Sequence, residues 1–242
     1  MDLTELGDKA DEAAIEDLCR RARTPYGPVA AICTWSRFVP LAGRLLAGTG
    51  IKVATVANFP AGTATPERAA EDVRAAFALG ADEVDVVFPY GALKAGDGAA
   101  GARLVGLCRQ AVPRGKRLKV ILETGELGTD DLVRQAARIA LDGGAHFIKT
   151  STGKVPVNAT PEAVRIMLEQ IKARGGRAGI KPSGGIRTAA DAALHLGLAD
   201  SIMGPRWAKA NTFRLGASGV LGDLLRVAAG AAGAANSAGP GY

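Results

Sequence analysis

Short apolar runs recur along the chain at intervals of roughly 15 to 35 residues, and helical patterns fill the gaps between them. The runs are Val29–Thr34, Lys52–Asn58, Glu83–Phe88, Lys119–Glu123, His146–Thr150, Gly179–Lys181, Ser201–Met203 and Arg214–Ala217. About eight strand–helix units in 242 residues predict an α/β chain, a single (β/α)8 TIM barrel of parallel strands ringed by helices. The rival is an open doubly wound sheet, but its G-x-G-x-x-G fingerprint is absent. A P-loop is absent too, because Ile148 stands five places before Gly153 where that motif needs glycine.

Helix boundaries are written locally. Asp11–Ala22 is amphipathic, and Thr65-Pro66-Glu67 opens a helix that ends near Gly80. Threonine caps the first turn, proline suits the first helical position, and glycine suits the exit. Thr160-Pro161-Glu162 repeats the start signal, Thr129–Leu141 ends before Gly143-Gly144, and Thr188 caps Ala189–Leu196. The barrel is expected over residues 1–227. Residues 228–242, mostly Ala and Gly and ending in Tyr242, lack the periodicity of a packed helix and read as a flexible tail.

Composition excludes several classes. Hydrophobic residues at 48% and charged residues at 22% exclude wholesale disorder. No run of ~18 apolar residues marks a membrane span. A net charge of +6 favours anionic ligands, but the basic residues are scattered and aromatics are only 5%, which argues against a nucleic-acid partner. Met1–Glu5 shows no basic region followed by an apolar run, and Cys19, Cys33 and Cys108 form no C-x-x-C. Both observations fit a reducing, cytoplasmic compartment. The two histidines, His146 and His195, are not spaced as a ligand pair, so no metal and no cofactor are expected.

Three charges break the apolar pattern of buried parallel strands. Asp85 lies between valines in Glu83–Phe88, Lys149 follows Phe147-Ile148, and Lys181 follows Ile180. A single such lysine reads best as a strand end reaching solvent. Two lysines and an aspartate, each late in a different strand, read better as groups pointing into the barrel mouth. Lys149-Thr150-Ser151-Thr152-Gly153 and Lys181-Pro182-Ser183-Gly184-Gly185 share the pattern K-x-S-x-G, 32 residues apart, about one unit. Neighbouring strands would bring the two amines within several Å. At ~5 Å and an effective dielectric of ~20 their repulsion is ~3 kcal/mol, enough to lower one amine by ~2 pKa units. Desolvation acts in the same direction, and the neutral amine is a nucleophile. A lysine pair with a carboxylate is thus equipped for Schiff-base chemistry.

The glycine-rich turns Gly184-Gly185-Ile186-Arg187 and Gly216-Ala217-Ser218-Gly219 each lead into a helix, with Arg187 and Lys154 adding charge. They read either as ordinary connecting turns or as a phosphate cradle, and their position late in the chain favours the cradle.

At these residues the sequence resembles the deoxyribose-phosphate aldolases. The matching segments are EVDVVFPYG at Glu83–Gly91, LKVILETGEL at Leu118–Leu127, FIKTSTGKVPVNATP at Phe147–Pro161 and GIKPSGGIRT at Gly179–Thr188, with MDLT, AICTWSRF and FRLGAS elsewhere. The resemblance implies a class I aldolase that interconverts 2-deoxy-D-ribose 5-phosphate with D-glyceraldehyde 3-phosphate and acetaldehyde. It implies Lys149 as the Schiff-base lysine, Lys181 as the lysine that perturbs it, and Asp85 as the acid of the proton relay. Asp2 matches an acidic residue near the lysine pair. Gly153, Lys154, Gly184, Gly185, Ile186, Arg187, Gly216 and Ser218 fall where such enzymes hold phosphate, and Cys33 and Thr152 fall near the substrate. Tyr242 matches a terminal tyrosine that reaches back to the reacting carbon. The family's habit implies a homodimer or larger homo-oligomer. Gly219 departs from the family pattern, which often has a second phosphate-contacting serine there, and the match begins at MDLT without the leading helical segment of many relatives.

Three other functions remain open to a chain like this. They are a class I aldolase for another phosphorylated aldehyde, a metal-dependent aldolase, and a sugar-phosphate sensor that kept the fold. The lysine motifs, the scarcity of histidine and the intact set of Lys149, Lys181 and Asp85 argue against each in turn.

Overall fold

The computed structural model describes the backbone of residues 1–237 and the side chains of residues 1–230. Eight strands form one parallel sheet: β1 (Asp2–Glu5), β2 (Ala31–Thr34), β3 (Lys52–Ala57), β4 (Glu83–Val87), β5 (Arg117–Ile121), β6 (Phe147–Lys149), β7 (Gly179–Lys181) and β8 (Gly216–Ala217). Sequence neighbours are spatial neighbours throughout, and β8 returns to pair with β1. The seam between β7 and β8 is closed by parallel bridges from Ile180 to Phe213 and from Ser183 to Gly216. The Ile180 N–H donates to the Thr212 carbonyl at 2.8 Å, and the Arg214 N–H donates to the Ile180 carbonyl at 3.0 Å. The result is the expected TIM barrel.

Alternation along each strand sorts its side chains between two cores. Leu3, Ile32, Val84, Val86, Leu118, Val120, Ile148 and Ile180 face outward and pack into the apolar layer beneath the helices. Their immediate neighbours Asp2, Glu83, Asp85, Lys119, Lys149 and Lys181 point the other way, into the barrel, and all are buried.

The helix starts follow the threonine signals. Thr65, Thr129, Thr160 and Thr188 each accept a hydrogen bond from the N–H three residues on, opening helices Pro66–Ala78, Asp130–Asp142, Pro161–Ala173 and Ala189–Met203. At Thr188 the bond is reciprocal, because the Asp191 carboxylate accepts the Thr188 N–H at 2.9 Å.

Three elements differ from the sequence-based expectation. The first barrel strand is Asp2–Glu5, a segment whose mixed polarity carries no run of apolar residues. Ser201–Met203, read as a strand, is the last turn of helix Ala189–Met203. Three residues of apolar character are too few to separate a strand from a buried helix end, and the capping box upstream commits the segment to helix. The count of eight survives because one strand is lost and one gained. The third difference is at the end. The final helix runs Val220–Ser237, so the backbone stays helical past Val227, where alanine's high helix propensity outweighs the weak periodicity. Tyr242 lies outside the described residues. A small antiparallel hairpin, Arg23–Thr24 with Gly27–Pro28, joins the first helix, Glu12–Arg21, to β2.

Thr188→Ala removes the capping box. The expected cost is about 1 kcal/mol, seen in a calorimetric scan as a melting temperature lower by about 2–4 °C.

Candidate active site

Asp85 is the centre of the barrel's polar interior. Its Oδ2 accepts from Lys181 Nζ at 2.8 Å and from Lys149 Nζ at 3.1 Å, and its Oδ1 accepts from Lys119 Nζ at 2.8 Å. Register explains the meeting: Asp85 and Lys119 are partners across β4 and β5, and Lys149 and Lys181 are partners across β6 and β7. Asp2, from β1, bonds Lys181 at 2.6 Å and approaches Lys119 at 3.4 Å. Glu83 binds Lys119 at 2.6 Å, and Arg214 bridges Asp2 to Glu83 from the far side. The Arg214 guanidinium also lies 5.6 Å from the centre of the Phe147 ring.

The charge count of this cluster is decisive. Four cations (Lys119, Lys149, Lys181, Arg214) face three carboxylates (Asp2, Glu83, Asp85). Fully ionised, the buried cluster holds one excess positive charge, and burying unpaired charge is costly. The amine that relieves it most readily is Lys149. Burial lowers its pKa first, the ammonium of Lys181 lowers it further, and Asp85 only partly opposes them. Lys181 goes the other way, because Asp2 and Asp85 outweigh its desolvation. Lys119 is driven well above the ordinary lysine value despite its burial, by Asp85, Glu83 and Asp2. Burial alone would raise Asp85, but Lys119, Lys181 and Lys149 hold its carboxyl far below the usual range. The sequence argument placed amine–amine repulsion first. In the structure burial comes first and repulsion second.

Of these charged groups, only Lys149 reaches the cavity. A pocket of about 300 Å³ opens at the C-terminal ends of the strands, walled by Thr4, Glu5, Leu6 and Gly7 after β1, and by Lys149, Thr152, Gly153, Lys154, Ser183, Gly184, Gly216, Ala217 and Ser218. A wider cleft of about 440 Å³ lies outside the rim, beside Trp35 and helix Pro66–Ala78, but Asp72 is the one ionisable group in its wall. The smaller cavity, the one that Lys149 lines, is therefore the candidate site.

The structure brings together most, not all, of the sequence-predicted residues. Thr152, Gly153, Lys154, Gly184, Gly216 and Ser218 share the wall with Lys149. Lys154 Nζ pairs with Asp8 at 3.3 Å, and its N–H donates to Thr152 Oγ1 at 3.0 Å. At Gly216 a side chain has no room, because a Cβ there would lie 1.9 Å from Ser183 Oγ. Gly185, Ile186, Arg187 and Cys33 lie outside this wall. Ile186 packs with Ala192 and Val220, and the Arg187 N–H is taken by Asp191 at 2.9 Å. Cys33 packs with Leu6, Ala54 and Val56, and burial raises its thiol pKa.

Sequence reasoning missed Lys119, Glu83, Arg214 and Glu123. The first two had a signal: Glu83 and Asp85 sit two apart on one strand face, and a second buried carboxylate asks for a further cation. Arg214 had none beyond its place near a strand.

Comparison with known proteins agrees with this geometry. A family model described as DeoC/LacD family aldolase matches residues 1–221. A candidate deoxyribose-phosphate aldolase from Coccidioides immitis superposes with a TM-score of 0.81 at 30% identity, covering 93% of this chain and 83% of its own. An apo form of a candidate deoxyribose-phosphate aldolase from Toxoplasma gondii ME49 gives 0.83 at 28%, with 94% and 91% covered. The deoxyribose phosphate aldolase of Aeropyrum pernix, described as a tetramer, gives 0.75 at 28%, with 94% and 88% covered. The family match and these neighbours, on a TIM barrel, define the class as a barrel lyase. The chain belongs to the DeoC/LacD aldolase family.

Lys119 touches three buried carboxylates and is not part of the cavity wall. Lys119→Met takes from Asp2, Glu83 and Asp85 the one cation that contacts all three. It is expected to destabilise the fold by about 3–5 kcal/mol, read as an early midpoint in urea unfolding.

Proposed function

We propose that the protein cleaves 2-deoxy-D-ribose 5-phosphate reversibly to D-glyceraldehyde 3-phosphate and acetaldehyde, through a Schiff base on Lys149. The observation that carries this reading is that Lys149, alone of the buried cluster's amines, faces the cavity and has its pKa lowered by burial and by Lys181. The sequence resemblance and the relatives' described activities supply the substrate.

The open-chain aldehyde enters with its phosphate toward Gly153, Lys154, Gly184, Gly216 and Ser218, at the N-terminal end of the helix that starts at Val220. Lys154, held by Asp8 in the free protein, turns to the anion. Phosphate binding fixes the distance from the anion to C1, which sets the aldehyde carbon against Lys149 Nζ. The neutral amine attacks C1 and forms a carbinolamine. Lys181, which retains its proton, supplies it through a water to the departing hydroxyl, because its own amine lies outside the cavity wall. Asp85 is ionised in the free protein, so it serves as the proton acceptor and returns charge balance to the cluster. The resulting iminium draws the C2–C3 bonding electrons as the C3 hydroxyl passes its proton through water to Lys181, which gave up its own in the dehydration and can return this one to C2 of the enamine. Glyceraldehyde 3-phosphate departs, and the enamine left on Lys149 takes a proton at C2 before water releases acetaldehyde.

The reading extends to assembly and setting. The tetramer described for the Aeropyrum pernix relative supports self-association of this chain. Three free, buried cysteines, Cys19, Cys33 and Cys108, suit a reducing cytoplasm.

Borohydride reduction in the presence of 2-deoxyribose 5-phosphate is expected to leave one adduct on the peptide containing Lys149, and Lys149→Leu is expected to abolish both adduct and turnover. Mass-spectrometric mapping decides it. An adduct elsewhere, or equal cleavage of a ketose bisphosphate in a substrate panel, overturns the reading. Lys181→Leu removes the ammonium that depresses Lys149. The pKa of Lys149 then rises, and the acid limb of the kcat/KM profile moves to higher pH. A profile that keeps its wild-type position with full activity contradicts the electrostatic account.

A further inference from the structure

Glu123 is buried, and its backbone has φ +55°, a left-handed conformation that L side chains disfavour. It begins the short helical turn Thr124–Leu127 at the end of β5. Glycine would adopt this conformation without strain. A large ionisable side chain held there, out of water, requires something for that side chain to do.

What the carboxylate does is grip one backbone group. Both oxygens lie 3.2 Å from the Thr152 N, so the Thr152 N–H donates into the fork of the carboxylate. The residues on either side of Glu123 grip the same segment. The Leu122 N–H donates to the Lys149 carbonyl at 2.9 Å, and the Thr124 N–H donates to the Thr150 carbonyl at 3.0 Å. Further along, Gly125 lies so close to the segment that a Cβ there would sit 2.1 Å from the Val157 carbonyl oxygen. Four successive residues of one turn thus form a bed for residues 149–157. That stretch carries Lys149 at its start and Thr152, Gly153 and Lys154 of the cavity wall immediately after.

We infer that Glu123 is a positioning residue: its buried carboxylate clamps the Thr152 N–H and so fixes both the direction of Lys149 Nζ and the Thr152–Lys154 side of the phosphate cavity. Glu123 is not part of the cavity wall and does not touch substrate. It acts through the loop. The inference rests on the lysine chemistry proposed above for its functional consequence, and on the hydrogen-bond geometry alone for the clamp.

The test uses the full chain and the variants Glu123→Gln, Glu123→Ala and Glu123→Gly. The readouts are the rate of borohydride trapping at Lys149 with 2-deoxyribose 5-phosphate, kcat and KM separately, and the melting temperature. The Gln variant keeps a carbonyl oxygen for the Thr152 N–H and is expected to stay within about 3-fold of wild type, since a neutral acceptor still makes the bond. The Ala and Gly variants lose the clamp. Their kcat/KM is expected to fall by about 10- to 100-fold, the scale of a small misplacement of a reacting group, with kcat falling and KM rising together. The Gly variant, freed of the left-handed penalty, is expected to melt no lower than the Ala variant while being just as slow. Trapping by the Ala and Gly variants at the wild-type rate, or loss of activity that merely follows loss of folded protein, overturns the inference. So does a Gln variant as slow as Ala. A wild-type protein that forms no adduct counts instead against the proposed function. In that case faster amide exchange at Thr152 in the Ala variant than in wild type still supports the clamp, and unchanged exchange removes it.

Discussion

One aspartate binding three lysines is the interaction on which the rest of this structure depends. Asp85 could not be buried alone, and neither could Lys119, Lys149 or Lys181. Together with Asp2, Glu83 and Arg214 they make a barrel interior that is ionic rather than aliphatic. Such an interior is a weak source of stability compared with packed hydrocarbon. Its use lies in its imbalance. Three cations have carboxylates close enough to hold their pKa values up, and the fourth, with one shared oxygen 3.1 Å away and a neighbouring ammonium, has its pKa lowered. Reactivity here is a property of the whole cluster and only locally a property of Lys149.

The fold was legible because the barrel repeats one instruction. Apolar runs marked β2 to β8, and threonine followed by proline or by acidic residues marked the helix starts. What failed was whatever departs from that repetition. β1 was invisible because Asp2 and Thr4 face a polar interior, so the strand has no apolar signature on that face. Ser201–Met203 looked like a strand because a helix end packed against the barrel is as apolar as a strand of the same length. Lys149, Lys181 and Asp85 were legible because a charge inside an apolar run is conspicuous. Arg214 and Glu123 stood in segments where a charge attracts no notice, and only their three-dimensional partners reveal them.

The two halves of the site are built on different terms. The amine half is held by ion pairs between strands, where register leaves little choice of geometry. The anion half is held by loops, and loops need anchors. Thr150 Oγ1 accepts from the Ser183 N–H at 2.9 Å, which ties the loop after β6 to the loop after β7. The turn at Glu123 ties the first of these back to β5. Stiffness in the loop-built half of the cavity wall is thus borrowed from strand ends through a few single hydrogen bonds.

The bond between Arg214 and Asp2 spans 212 positions of sequence. The ionic cluster consequently cannot assemble while synthesis or refolding is still under way, because its outer members arrive from opposite extremes of the polypeptide. Until the two extremes dock, Lys181 lacks its Asp2 partner, and Asp2 and Glu83 lack the guanidinium that bridges them. Circular closure therefore completes the ionic interior: the bridge from Asp2 through Arg214 to Glu83 exists only once the ring of strands is shut.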